Sequence, residues 1–204
     1  MHTPFSMNML RFIPFVITLT FTAVSCSSTS DYPRRNPIGE RFPSITVTPL
    51  DGGTKAFPEV FAGEPVLVLV GYLQRSQFDI DRWLIGITQV DLPVKFVELP
   101  TISGMVPSLI GDFIDSGMRT GIPSELWGGV MTVYDDAELV QEFTGTENGL
   151  PSRVLLLDER GTVLYFHDRG FSPFELKRVQ ELLAEQVAER PESTDQVPSA
   201  PSPR

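Results

Sequence analysis

The run Val66-Leu67-Val68-Leu69-Val70, set between Pro65 and Gly71, carries no polar residue on either phase of a two-residue period. Alternate side chains of an extended chain point to opposite faces, so this segment needs apolar cover on both sides. That requirement describes a central strand buried between layers, not a half-solvated antiparallel strand. A chain of 204 residues with 41% hydrophobic content supplies one domain with a sizeable core.

The flanking pattern agrees. Ile45 to Thr48 and Lys55 to Phe57 surround Leu50-Asp51-Gly52-Gly53, where Asp-Gly between extended segments marks a hairpin. Asp79 to Val90 places Ile80, Trp83, Leu84 and Ile87 on one helical face. Val94 to Leu99 reads as a second buried strand, and Pro107 to Met118 as a helix with Leu109, Ile110, Phe113 and Ile114 inward. Val130 to Tyr134 is a third strand, and Asp136 to Phe143 a short helix. Arg153 to Leu157 and Thr162 to His167 are strands joined by a turn at Asp158-Glu159-Arg160-Gly161. Ser172 begins the last helix, with Glu175 placed to complete a capping box, and this helix runs to about Ala188. Strands alternating with helices and closing on a hairpin define an α/β layered fold with a mixed central sheet and an N-terminal hairpin.

The ends have a different character. Arg11 precedes an apolar stretch, Phe12 to Ala23, and then Val24-Ser25-Cys26. A dozen residues fall short of the roughly 20 that span a bilayer, so residues 1–25 read as a signal peptide. Ala23 and Ser25 before Cys26 resemble a bacterial lipobox, with Ala23 where Leu is more usual. That resemblance implies cleavage before Cys26, diacylglycerol on its thiol and an acylated (palmitate-type) new terminus. Ser27 in place of Asp resembles the outer-membrane sorting pattern, with the protein facing the periplasm. The competing reading is a secreted protein with an incidental cysteine. Residues 26–37 form a Ser-, Pro- and Arg-rich tether, 38–189 the domain, and 190–204 a proline-rich disordered tail.

The formal charge is −10, and −11 once the leader, which holds Arg11 and no acid, is removed. With basic residues scattered along the sequence, this argues against nucleic acid as a partner and against a polybasic membrane patch, leaving a lipid anchor as the means of attachment. The single cysteine allows no internal disulfide, no CxxC couple and no cysteine-rich zinc site. Gly52-Gly53 and Gly128-Gly129 lack the Lys and Ser or Thr of a phosphate loop, and His167 has no companions to make a metal site. No cofactor is expected. Asp112, Asp115, Asp135 and Asp136 read as a solvated face and a helix start.

Gly149-Leu150-Pro151, the strand through Leu157, then Asp158-x-x-Gly161 resemble the second half of the thioredoxin-like superfamily. The segment around Gly39, Phe42, Pro43 and Leu50-Asp51-Gly52 resembles its peroxiredoxin branch. The resemblance spans about 39–188 and implies a three-layer thioredoxin-like fold, with a cis peptide before Pro151. Within it, Val97-Glu98-Leu99, Gly121-Ile122-Pro123-Ser124-Glu125-Leu126-Trp127 and Gly170 resemble the mitochondrial assembly factor for subunit 6 of the F1Fo ATP synthase, a thioredoxin-like chaperone. Tyr165-Phe166-His167 stands where that family has a basic, Trp-containing segment.

A redox enzyme of this fold places its attacking cysteine just after the first central strand, where a helix N-terminus stabilises a thiolate. Here Gly71-Tyr72-Leu73-Gln74-Arg75-Ser76-Gln77-Phe78-Asp79 offers no thiol. Ser76 lacks a base nearby, so it and Asp79 read as helix caps. Tyr72, Gln74, Arg75, Ser76, Trp127, Leu150 and Pro151 form a candidate groove that binds a protein segment. For Arg75 the alternative is a solvated loop, and for Trp127 it is simple packing. The expected function is a redox-inactive binding or assembly module for a partner in the cell envelope. The alternatives are a thioredoxin-fold relative with a non-cysteine activity and a purely structural lipoprotein.

Overall fold

The computed structural model describes residues 32–104 and 108–189. The leader, Cys26 and the tail lie outside the described residues. In chain order the elements are β1 (Ile45–Pro49), β2 (Lys55–Phe57), β3 (Val66–Gly71), α1 (Gln77–Gln89), β4 (Lys95–Pro100), α2 (Ser108–Gly121), β5 (Met131–Thr132), α3 (Ala137–Thr144), β6 (Arg153–Leu157), β7 (Val163–His167) and α4 (Pro173–Glu189).

The central sheet runs β4-β3-β6-β7, with β3 and β4 parallel and the other pairs antiparallel. Val66 to Val70 are each at most 1% exposed. Val66, Val68 and Val70 face a core with Phe42, Phe57, Val140 and Leu155, whereas Leu67 and Leu69 face Trp83, Ile87, Val179 and Leu156. The two-residue period therefore delivers apolar side chains to two separate cores, with α1 and α4 over one face and α3 over the other. Truncating a residue such as Leu67 to Ala would remove about 3–5 kcal/mol.

The N-terminal hairpin forms as expected, with Ile45 opposite Phe57, and β1 also pairs with β5 through Thr48 and Thr132. The third strand is shorter than Val130 to Tyr134. Only Met131–Thr132 is ladder, and the isolated bridges Glu98–Val130 and Thr101–Val133 tie its two flanks to β4 and to the residue just after β4.

On α2 the inward face differs from the periodicity reading. Phe113 is 78% exposed, and Asp115, expected on a solvated face, is 4% exposed. The hydroxyls of the β5 segment explain the change. Tyr134 donates to Asp115 Oδ1 at 2.7 Å and to Gly111 O at 3.2 Å, and Thr132 donates to Asp115 Oδ1 at 3.3 Å. Buried hydroxyls need partners, so helix α2 turns a carboxylate inward and its Phe outward. Asp136 precedes α3, but its carboxylate accepts the Thr46 N–H at 2.7 Å without capping the helix. Glu175, in the first turn of α4, accepts the Tyr165 hydroxyl at 2.8 Å and so ties the helix start to β7.

Candidate functional site

β3 ends at Gly71, and a 3₁₀ turn over Gln74–Ser76 carries the chain into α1. Ser76 occupies the N-cap position yet its hydroxyl does not cap the helix. It is fully buried and donates to Gly149 O at 3.3 Å, joining the helix start to the loop before β6. Asp79, in the first turn of α1, makes the same junction more strongly. Its Oδ2 accepts the Ser152 N–H at 3.0 Å and hydroxyl at 2.6 Å, and its Oδ1 accepts the Phe171 N–H at 2.7 Å. Neither residue is the helix cap that the sequence suggested; both fasten the Pro151 loop and the loop before α4 against α1.

The peptide before Pro151 is trans. The cis peptide among the described residues is Phe57–Pro58, which corrects the expectation drawn from the resemblance. The loop is organised by Arg153, which is 3% exposed. Its guanidinium donates to Gly145 O at 2.8 and 3.1 Å, to Asn148 O at 2.8 Å and to Pro151 O at 2.7 Å. It also lies 5.5 Å from the centre of the Tyr72 ring. Burial depresses the Arg153 pKa, with Tyr72 opposing the shift. No carboxylate among the described residues lies within ion-pair distance of this group; carbonyl oxygens hold it.

Between these parts lies a depression of about 320 Å³ lined by Arg75, Phe78, Asp79, Arg82, Leu150, Pro151 and Gly170. The structure therefore brings Arg75, Leu150 and Pro151 together, as the sequence suggested. Gln74 is exposed but is not among the lining residues. Tyr72 also stands apart, since its hydroxyl bonds Thr144 Oγ1 and Val140 O, and burial pushes its phenol up to about 12. Trp127 is elsewhere too, on the turn Ser124–Gly129, donating to Ile122 O at 2.9 Å with Arg119 5.9 Å from its ring centre. Trp127 is half-buried there, outside the depression.

Phe78, Arg82 and Gly170 were missed. Phe78 is 73% exposed. It lies off the Ile80-Trp83-Leu84-Ile87 stripe, so its helical phase was the readable signal of an outward aromatic. No side chain in the depression is a thiol, and Ser76 is enclosed.

No protein-family model matches the chain, and no curated protein matches it. Solved structures do. A thiol peroxidase from Chromobacterium violaceum aligns at 16% identity over 78% of this chain and 91% of its own, with a TM-score of 0.50. A conserved protein from Geobacillus kaustophilus aligns at 13% identity over 74% and 83%, with a TM-score of 0.51. Yeast Sco1 with copper bound aligns at 9% identity over 78% and 98%, with a TM-score of 0.50. At these identities the likeness concerns the fold. The mixed sheet with helices over both of its faces is that of the thioredoxin-like fold, and this chain has it.

Proposed function

We propose that the chain is a redox-inactive thioredoxin-like lipoprotein that holds a segment of another envelope protein in the depression beside Pro151, as an assembly or chaperone-like module. The observation that carries this reading is the composition of the depression. It pairs the exposed apolar surface of Phe78 and Leu150 with the guanidiniums of Arg75 and Arg82, and contains no thiol. Exposed aromatic and Arg side chains around a concave site are the usual anchors of protein recognition.

Anchoring through acylated Cys26 in the outer membrane, facing the periplasm, belongs to the same proposal. Tyr32 is fixed beside the site, its N–H donating to Thr146 Oγ1 at 3.1 Å and its carbonyl accepting the Thr146 and Glu147 N–H groups. The chain from Cys26 to Tyr32 extends at most about 20 Å, so a lipid there would keep the groove close to the bilayer surface. The resemblance to the ATP synthase subunit-6 assembly factor suggests the type of activity, with a client of the envelope in place of a mitochondrial one.

The test is affinity capture of the exported domain from envelope extracts, comparing wild type with Arg75→Ala/Phe78→Ala. Loss of a captured protein in the double variant supports the reading, and identical capture refutes it. Peroxide or disulfide turnover by the purified domain would refute the redox-inactive part.

A further inference from the structure

We infer that the partner segment is acidic, with an apolar or aromatic residue seated against Phe78 and Leu150 and carboxylates on the arginines to either side. This deepens the function proposed above and rests on it. Two further hollows, of about 430 and 540 Å³, continue the surface. The first shares Pro151 with the depression, and the two share Arg34, Asp168 and Arg169. Arg75 and Arg82 stand at one end, Arg169 and Arg178 at the other. All four are exposed, and no hydrogen bond or ion pair among the described residues engages them.

The carboxylates of this face are already occupied. Asp79 holds Ser152 and Phe171, and Asp168 takes Arg34 in a two-point pair. Glu175 accepts from Tyr165, and Glu147 accepts the Arg34 N–H at 3.4 Å. The acids are used internally while four guanidiniums are left over, so the fold gathers a cationic strip that the scattered sequence positions did not reveal.

A free guanidinium offers a planar fork that fits a carboxylate at two points. Next to apolar surface that excludes water, such pairs set partner choice and register. A short acidic segment feels chiefly the strip, because charges beyond about 8–10 Å are screened. An extended anionic bilayer would also meet the rest of a chain of net charge −10, which opposes its approach.

The test uses the exported chain and fluorescence anisotropy with a labelled peptide of repeating Glu-Glu-Phe and a control with Gln for each Glu. The Glu peptide is expected to bind about tenfold or more tightly than the Gln peptide at low salt, with the advantage shrinking as salt rises. Arg75→Glu/Arg169→Glu is expected to abolish that advantage. Both side chains are exposed and unpartnered, so an unchanged urea melt of this variant separates lost binding from lost folding. Equal binding of the two peptides overturns the acidic assignment while leaving the groove reading intact. Glu-peptide binding that survives the reversal, binding of neither peptide, or capture by phosphatidylglycerol vesicles without peptide binding also overturns it. The groove reading is decided separately by capture with Arg75→Ala/Phe78→Ala.

Discussion

Removing the Asp79 carboxylate should be among the most damaging single changes at the site, because one side chain joins three segments. Asp79→Ala deletes the acceptor of the Ser152 N–H, the Ser152 hydroxyl and the Phe171 N–H. Ser152 is fully buried, so its polar groups lose a partner that water cannot readily replace. Hydrogen bonds to a charged group contribute about 1.5–3 kcal/mol each when well buried. Asp79 itself is only half-buried, so about 1 kcal/mol for each of the three is a suitable figure. A carboxylate in the first turn of α1 adds about 0.5 kcal/mol through the helix dipole. The expected loss is about 3–4 kcal/mol. Asp79→Asn keeps an acceptor on one side only and turns an amide N–H₂ toward a donor on the other, so it should fall about midway. Urea unfolding followed by fluorescence, with fully buried Trp83 as a reporter, reads this directly. With a slope of about 2 kcal/mol/M, the Ala midpoint should drop by about 1.5–2 M. A midpoint within about 0.3 M of wild type, or Asn as costly as Ala, would refute the claim that this carboxylate pins the loops to α1.

Other consequences can be measured in the same way. Burial holds the Tyr72 phenol to about 12 against an ordinary 10. The unfolded chain therefore releases its proton first, and stability should fall by roughly 2 kcal/mol as pH climbs from 10 toward 12. Tyr72→Phe should remove that portion of the slope in pH-dependent melts, while Tyr134 and Tyr165, both shifted upward by burial, maintain the rest. Gly86→Ala should destabilise by about 1–3 kcal/mol although Ala favours helices, because the added carbon would lie 2.9 Å from both Leu176 Cδ2 and Phe171 Cε2. Arg153→Met should cost about 3 kcal/mol by leaving the carbonyls of Gly145, Asn148 and Pro151 without their donor, and should raise proteolysis within the 145–151 loop. Cys26→Ser should release the protein from membrane pellets into the soluble fraction.

The sequence specified the layers because β3 and β6 are apolar on both phases, a pattern that few architectures can satisfy. It specified the meeting of Pro151 with the start of α1 only through resemblance, since 73 positions separate Asp79 from Ser152. Polar wiring was the illegible part. Asp115 reads as a surface acid and Asp79 as a helix cap, and only their distant hydroxyl and amide partners give them their joining roles. Arg153 carried a signal that composition hides, being a charge at the head of an otherwise apolar strand. Tyr72 and Trp127 looked like groove residues by position, but the demands of the phenol and the indole N–H for nearby acceptors drew each into local packing.

The claim that this depression binds protein is tested most directly by placing a photocrosslinking residue at position 78 in cells and irradiating. The control is the same residue at position 113, equally outward but on α2. The account predicts a discrete protein adduct at position 78, missing at 113 and weakened by Arg75→Ala. No adduct at 78, or the same set of adducts at both positions, would contradict it.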